Sequence, residues 1–466
     1  MTAPILVWLR HELRLGDNPA LSAAVATGRP VIPVFILDDT ADIGGAVAWW
    51  LHHSLTSLAR SISERGGTLL LRRGDPLTLI PALIAETGAS GLYWSRSYDP
   101  HLRAQDQALA EPLRQSGVEL RRANDASLLF EPDEIRNKEG RPYQVFSQFW
   151  RACLAAEPPR LPYPAPESIR PPATIPAGDL LASWNLLPHS PDWAGGLRER
   201  WHVGEDAAWQ QLGRFLQAGV SRYHDHRDRP DIHGTSALSP HLRFGEISPH
   251  QIWHAVASVG TGRGPETYLK EVGWREFSHH LLAQHPALRT VALRPAFAQF
   301  PWQPDPAALK AWQSGHTGYP LVDAGMRQLW HTGWMHNRVR MVTASFLVKH
   351  LLQPWQDGEA WFWDCLVDAD AASNPASWQW VAGCGADAAP YFRIFNPILQ
   401  GQKFDPRGDY VRRWVPELSH RSTSDIHIPA HGIPGYPGPI VDHDAARQRA
   451  LAAFAEIKAG PLGDEH

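Results

Sequence analysis

Cysteine is scarce in this chain. Cys153, Cys365 and Cys384 are the only three in 466 residues, too scattered for a disulfide framework or a zinc cluster, and they suit a reducing compartment, by default the cytoplasm. No uninterrupted apolar run approaches bilayer length, so no membrane-spanning helix is expected. The N-terminal Met1-Thr2-Ala3-Pro4 leads into a short apolar strand without a basic region, a long apolar stretch or a small-residue cleavage site, and export is not implied. A G-x-G-x-x-G turn is also missing, which leaves a Rossmann-type dinucleotide site in the N-terminal half unsupported. The last absence is local. Between Ala324 and Gln356 there is no Asp or Glu, while Arg327, Arg338, Arg340 and Lys349 supply a charge of +4. In a chain with a net charge of −4, that stretch is the candidate patch for a nucleic-acid partner.

What is present describes a globular protein of two or three domains, with 43% hydrophobic and 20% charged residues. The first 125 or so residues alternate short apolar runs (Ile5–Trp8, Val31–Leu37, Thr68–Leu71, Gly91–Trp94, Val118–Leu120) with Ala/Leu-rich segments, the pattern of a doubly wound parallel sheet covered by helices. Eight prolines between Pro158 and Pro176 forbid regular structure there and favour an extended connection. From about Trp201 onward the alternation gives way to helical periodicity, over Ala207–Ala218, Glu266–His285, Tyr319–Thr332, Arg338–Leu352 and Ala445–Ala459. The expected organisation is an α/β domain over 1–130, a connector over 131–195 and a larger all-α domain over 196–466.

Four segments carry candidate chemistry. Gly234-Thr235-Ser236-Ala237-Leu238-Ser239 offers hydroxyls and backbone N–H groups ahead of a helix, a cradle suited to a pyrophosphate or simply a cap. Glu271, Trp274, Arg275 and Ser278 stand at i, i+3, i+4 and i+7 of one helix face, an acid and a guanidinium around an indole that suits a flat ligand. In His336-Asn337-Arg338-Val339-Arg340-Met341 the helical period puts Asn337, Arg340 and Met341 on one side and turns Arg338 partly away. Asp368-Ala369-Asp370 precedes Asn374, and Asn374 lies one turn ahead of Trp378-Gln379-Trp380. Carboxylates and a carboxamide in this arrangement can hydrogen-bond a flavin ring and balance an arginine. No histidine or cysteine stands at first-shell spacing from Asp368 and Asp370, so no metal site is expected. Trp302, Trp355 and Trp378 are three of 21 tryptophans. Most of these fill core, but indoles spaced from a redox cofactor toward the surface can relay an electron.

The runs Trp274-Arg275-Glu276-Phe277, Thr332 through Met341, Trp378-Gln379-Trp380 through Tyr391-Phe392-Arg393-Ile394-Phe395-Asn396-Pro397, and Trp8 through Asn18 resemble the DNA photolyase/cryptochrome family, in order and along essentially the whole chain. The resemblance implies a U-shaped FAD in the helical domain, contacted by Tyr223, by Thr235, Ser236, Ala237, Leu238 and Ser239, by Tyr268, and by Asp368, Ala369 and Asp370. It places Asn374 at the flavin N5 and Arg340 beside the ring, paired with Asp368. Trp378, Trp355 and Trp302 take the positions of a photoreduction relay. The implied partner is UV-damaged DNA carrying a flipped-out cyclobutane pyrimidine dimer, met by Trp274, Trp380 and Met341, with Glu271 on a carbonyl of the lesion. Arg275, Asn337 and Gln400 support the lesion and its strand, and Arg227 and Arg338 meet phosphates. The implied reaction is cyclic: an electron leaves excited reduced FAD for the dimer, both inter-base bonds break, and the electron returns.

Within the family, Met341 stands where (6-4) photolyases carry a histidine. Asn374 stands where plant-type cryptochromes commonly carry Asp, and the Trp380 indole is one that they lack. With no long tail after the helical domain, these residues favour dimer repair by a monomer over (6-4) repair or blue-light signalling. A second, antenna chromophore is left open among deazaflavin, folate and flavin, with Leu102 at the position where folate-binding relatives carry Glu.

Overall fold

A computed structural model describes residues 2–124, 126–388 and 392–458 of the chain. Five strands, β1 (Ile5–Leu9), β2 (Val31–Leu37), β3 (Leu70–Arg73), β4 (Gly91–Ser95) and β5 (Glu119–Ala123), form one parallel sheet in the order β3-β2-β1-β4-β5. The central strands β1, β2 and β4 are buried along their whole length, which is why they read as continuous apolar runs, whereas the edge strand β5 is largely exposed. The connecting helices begin where the sequence supplies both a cap and a proline. Asn18, Asp75 and Asp99 each accept a backbone N–H of a first turn opened by Pro19, Pro76 or Pro100.

Beyond the sheet the described residues hold helices and no further strand. The anticipated helices occur at Glu205–Ala218, Arg263–Gln284, Pro320–Thr332, Asn337–Ser345 and His443–Lys458, with Ala459 outside the described residues. The helix from Asn337 does not run to Leu352. It widens into a π turn at Phe346–His350 and stops. The proline-rich stretch is irregular as expected, but upstream of it the connector holds a helix, Phe146–Ala155, that an extended link does not anticipate. Its apolar face, Phe146, Phe149, Trp150 and Cys153, packs on the helix Arg263–Gln284, with Phe146 stacked on Trp274 at a centroid distance of 3.7 Å. Gly273 permits the approach, because a Cβ there would lie 2.4 Å from the Trp150 ring.

The α/β and helical regions share one core. Trp50, from the helix Gly45–Ser63, stacks on Phe244 and meets Trp201 and His241 edge-on, while its Nε1 donates to the buried Glu246 at 3.0 Å. Arg14 ties three segments. Its guanidinium donates to the carbonyls of Asp17 (2.6 Å), Ala126 (2.6 Å) and Gly245 (2.8 Å), and the residue is 1% exposed. A charge so enclosed is held because its N–H groups meet carbonyl dipoles and the carboxylates of Asp17, Glu12 and Glu205 stand near it. Arg14→Met would strand those carbonyls and is expected to cost about 3 kcal/mol, read as a lowered midpoint in thermal or urea unfolding.

Candidate active site

A cavity of about 500 Å³ opens inside the helical region. It lies within the range of about 300–1,000 Å³ typical of ligand sites. Three of the sequence segments and the tyrosines converge on its wall: Tyr223, Ser236, Leu238 and Ser239; Tyr268, Glu271, Trp274, Arg275 and Ser278; Asn337, Arg340 and Met341. The fourth adds Asp368, Ala369, Asp370, Asn374, Trp378 and Trp380. Arg227 stands on the wall beside Glu271.

Helix geometry explains the convergence. On Arg263–Gln284 the residues Glu271, Trp274, Arg275 and Ser278 share the inward stripe, and on Asn337–Ser345 the i, i+3, i+4 set Asn337, Arg340 and Met341 does the same. Arg340 binds Asp368 through both terminal nitrogens at 3.0 and 2.7 Å, and its Nε donates to the Met335 carbonyl. This bidentate fork fixes the guanidinium plane against the wall. Asp370 takes the backbone N–H groups of Ala372 and Ser373 at 2.8 and 2.7 Å, opening the helix Ser373–Ala382. Burial alone would raise its carboxyl pKa, but His279, the Ser373 N–H, Arg275 and Arg243 outweigh that and hold it below the usual carboxylate range. Tyr268 donates to Ser236 Oγ at 3.0 Å and meets Tyr223 edge-on at 5.2 Å, and burial pushes its hydroxyl up to about 12. Both tyrosines are therefore neutral hydroxyls at physiological pH.

Glu271 is half-buried, its carboxyl raised by desolvation and pulled back by its ion pair with Arg227. Asp228 holds Arg338 at 2.8 Å, away from the cavity. Two pairs between consecutive residues and the helices facing them thus stand near Glu271 and Asn337.

The basic stretch 324–356 does not form the open patch that its sequence suggests. Arg327 pairs with Glu417 at 2.9 Å, Arg338 with Asp228 and Arg340 with Asp368, and Lys349 is buried, donating to the Arg393 carbonyl. Burial lowers the Lys349 ammonium to about 7. The acids that balance this stretch come from segments distant in sequence.

Other anticipated residues lie behind or beside the wall. Thr235 is half-buried, and Ala237 is buried in a left-handed backbone conformation with φ 51°. The helix after this segment, Ser239–Arg243, is only five residues long. Gln400 sits on Pro397–Phe404 with its Oε1 buried and unpartnered among the described residues. Tyr391, part of one motif, falls outside the described residues. Trp378 is 2% exposed and lies against Gly358, where a Cβ would come within 2.1 Å of its ring. Gly358 is one turn from Trp355 on the helix Trp355–Cys365, and Trp355 is 1% exposed. Trp302 is only half-buried, and its neighbour Gln303 donates its N–H to the carbonyl of Leu352, three residues before Trp355, at 2.8 Å. The three indoles thus lie on adjoining segments, from a buried cavity wall to a partly exposed position.

Sequence spacing missed several wall residues: Arg243, whose Nε donates to the Ala369 carbonyl, Trp334, whose Nε1 donates to Ser239 Oγ, and Phe362, Leu366 and Ser373. It also missed Glu359, buried behind Asn374. Trp334 stands inside a motif and had that signal. The others carry no local pattern.

Residues 5–167 match the family model described as DNA photolyase, and residues 268–456 the one described as FAD binding domain of DNA photolyase. The deoxyribodipyrimidine photo-lyase of Agrobacterium fabrum is 49% identical, with 98% of each chain covered. Cryptochrome-1 of Arabidopsis thaliana is 38% identical over 97% of this chain and 70% of its own. Among solved structures, a bacterial class III photolyase from Agrobacterium tumefaciens superposes with a TM-score of 0.96 at 48% identity, covering 99% of this chain and 98% of that one. With a two-part match of this extent and a cavity inside the FAD-binding part, the chain belongs to the DNA photolyase family.

Proposed function

We propose that this protein is a light-dependent DNA repair enzyme that splits cyclobutane pyrimidine dimers, using reduced FAD bound in the cavity. The observation that carries the proposal is the shared wall: the Arg340–Asp368 fork and Asn374 line the same cavity as Glu271, Trp274, Met341 and Trp380. The chain's residues fit the cofactor. Aromatic and aliphatic surface alternates with a fixed guanidinium, two carboxylates, a carboxamide and hydroxyls, the donor set that an isoalloxazine, a pyrophosphate and a ribose require. Bound there, FAD supplies light-driven electron donation.

In this assignment Tyr223, Ser236, Leu238, Ser239, Tyr268, Arg340, Asp368, Ala369, Asp370 and Asn374 hold the cofactor, with Asn374 at its central ring nitrogen. Thr235 and Ala237 shape the loop that carries Ser236. Trp274 and Trp380 flank an everted lesion, Met341 fills the space between ring pair and wall, and Glu271, protonated once Arg227 has left it, donates its carboxyl O–H to a pyrimidine carbonyl, steadying the charge that develops there. Arg227 and Arg338 leave their carboxylates for phosphates, while Asn337 and Gln400 support the displaced strand. Arg275 takes a different part. Its guanidinium donates inward to the Ser127 carbonyl at 2.7 Å, which suits the cofactor side of the cavity better than the strand. Trp378, Trp355 and Trp302 form the relay that returns oxidised cofactor to the working state.

A second chromophore fits the carboxyl ends of β1 and β4, where the strand order reverses. Trp8 Nε1, Arg10 Nε, Ser95 Oγ and Gln105 Oε1 are buried without hydrogen-bond partners among the described residues. Deazaflavin, folate and flavin differ in absorption, so the spectrum of purified protein identifies which is bound. Among the described residues no helix is long and apolar enough to cross a membrane, and we assign the protein to the cytoplasm, acting as a monomer.

Illuminating prereduced protein with an oligonucleotide carrying a single thymine dimer should restore pyrimidine absorbance near 260 nm, roughly the band of the 5,6 double bond that splitting regenerates. A photoreceptor on the same scaffold would leave the dimer intact, and that outcome would sink the proposal. Trp302→Phe should block photoreduction from oxidised flavin while prereduced enzyme still repairs, and loss of both activities would remove Trp302 from the relay. Glu271→Ala should retain FAD and lower repair efficiency roughly tenfold, the effect of a lost hydrogen bond to a charged group. Unchanged repair would end that assignment.

A further inference from the structure

Arg243 lines the cavity, yet its guanidinium is held from two regions of the chain. Nε donates to the Ala369 carbonyl at 2.5 Å, within the helical region. Nη1 lies 3.2 Å from Nδ1 of His11, on the loop that leaves β1. Among the described residues Nη2 has no hydrogen-bond partner and no carboxylate forms an ion pair with Arg243, while Asp370 and Asp99 favour its charge from a greater distance. The side chain is thus oriented by two acceptors, with one N–H edge and its whole charge unspent.

The backbone on both sides of the His11–Arg243 contact is fixed. Leu13 donates its N–H to the Phe244 carbonyl at 3.0 Å, and the Arg14 guanidinium donates to that of Gly245 at 2.8 Å. Gly245, at φ 61°, has the left-handed backbone that glycine adopts without strain, and a Cβ there would overlap the His11 carbonyl. The turn after Arg243 therefore presses directly on the loop that carries His11. Chemistry then sets the state of the imidazole. A guanidinium offers only N–H donors, so Nδ1 is the acceptor and the ring is neutral, with its proton on Nε2. Burial, followed by the basic neighbours Arg243, Arg10, His279 and Arg275, holds the His11 pKa well below the usual histidine value, so this state prevails at physiological pH.

A neutral acceptor does what a carboxylate could not. An acid at this position would also orient Arg243, but it would cancel the charge that it orients. An imidazole nitrogen gives the direction and leaves the cation to an anion entering the cavity. We infer that His11 is a positioning residue for cofactor binding, contributed by the α/β region, whose neutral Nδ1 holds Arg243 ready for the anionic FAD without spending its charge. The inference rests on FAD occupying the cavity, as proposed above. The grip of the helical region on its cofactor then depends on the α/β region being docked against it.

The test follows release of FAD from the loaded full-length protein as a rise in flavin fluorescence after dilution, with far-ultraviolet circular dichroism to show that each variant is folded. His11→Asn places an amide oxygen at about the reach of Nδ1 and should release FAD at the parental rate. His11→Leu removes the acceptor and should release it about tenfold faster, the effect of one lost hydrogen bond to a charged group. His11→Asp has the shape of the asparagine variant but cancels the cation, and it too should release FAD about tenfold faster. A residue that only pinned the two regions together would accept this change, because the ion pair pins them as well. In an Arg243→Gln background the three substitutions at His11 should no longer differ from one another. Parental release from His11→Leu or His11→Asp, release from His11→Asn as fast as from His11→Leu, or differences undiminished in the Arg243→Gln background would overturn the inference. If the leucine variant does not fold, the asparagine and aspartate variants, alike in shape, decide the matter by the same criterion. Dimer splitting is assayed separately: a protein that repairs but releases FAD alike in all variants refutes this role alone, and one that retains FAD without repairing refutes the function alone.

Discussion

Most of the charge placed around a large cavity has to be compensated within the wall, because burial withdraws it from bulk water. That constraint orders the helical region. Arg340 is bound by Asp368 through two nitrogens, and Glu359 by Arg289 through two oxygens. Asp370 is met by backbone N–H groups, Arg243 by the Ala369 carbonyl, and Arg275 by the Ser127 carbonyl and Glu276. Each pairing costs desolvation, and none is a strong source of stability by itself. What each provides is a fixed direction: with the side chains already bound to the wall, little reorganisation is left for ligand binding or for charge arriving at the site.

The same constraint explains why some of the protein is legible in the sequence and some is not. The strands can be read directly, because β1, β2 and β4 are buried on both faces and need unbroken apolar runs. The wall residues on Arg263–Gln284 and Asn337–Ser345 are readable for a related reason, since one helix stripe faces the cavity and the period of 3.6 marks it. The helix Phe146–Ala155 was equally open to this reading, through Phe146, Phe149, Trp150 and Cys153, but it lies in a connector whose proline cluster begins only at Pro158. Proline content there speaks for the neighbouring stretch alone.

Compensation between distant segments leaves no such mark. The run 324–356 is basic only when acids are counted along the chain. In space Asp228, Asp368 and Glu417 answer three of its four charges, and the fourth, Lys349, is buried. Glu359 escapes for the same reason: nothing within a turn of it hints at Arg289, 70 residues earlier, or Asn374, 15 residues later. Periodicity reports which face of an element is buried, and it is silent about which partner makes a buried charge tolerable.

Pairing also leaves a remainder, and the remainder has a sign. Among the described residues lining the cavity there are four arginines (Arg227, Arg243, Arg275 and Arg340) and three carboxylates (Glu271, Asp368 and Asp370), and the Arg289–Glu359 pair behind the wall adds nothing net. The fourth arginine is left to Glu276 behind the wall, whose Oε1 lies 3.4 Å from Arg275 Nη1 and whose carboxyl burial pushes up to about 7, so that this arginine is balanced only in part. Arg243 is held by the neutral Ala369 carbonyl, which orients a guanidinium without cancelling it, and Arg275 shares its Nη1 between the Ser127 carbonyl and Glu276. In a region of low dielectric an unbalanced cation favours an anionic occupant. A pyrophosphate meets that preference in every redox state, and a flavin meets it further when reduction adds negative charge to the ring. The wall therefore suits an anionic, phosphate-bearing cofactor by its charge as well as by its shape.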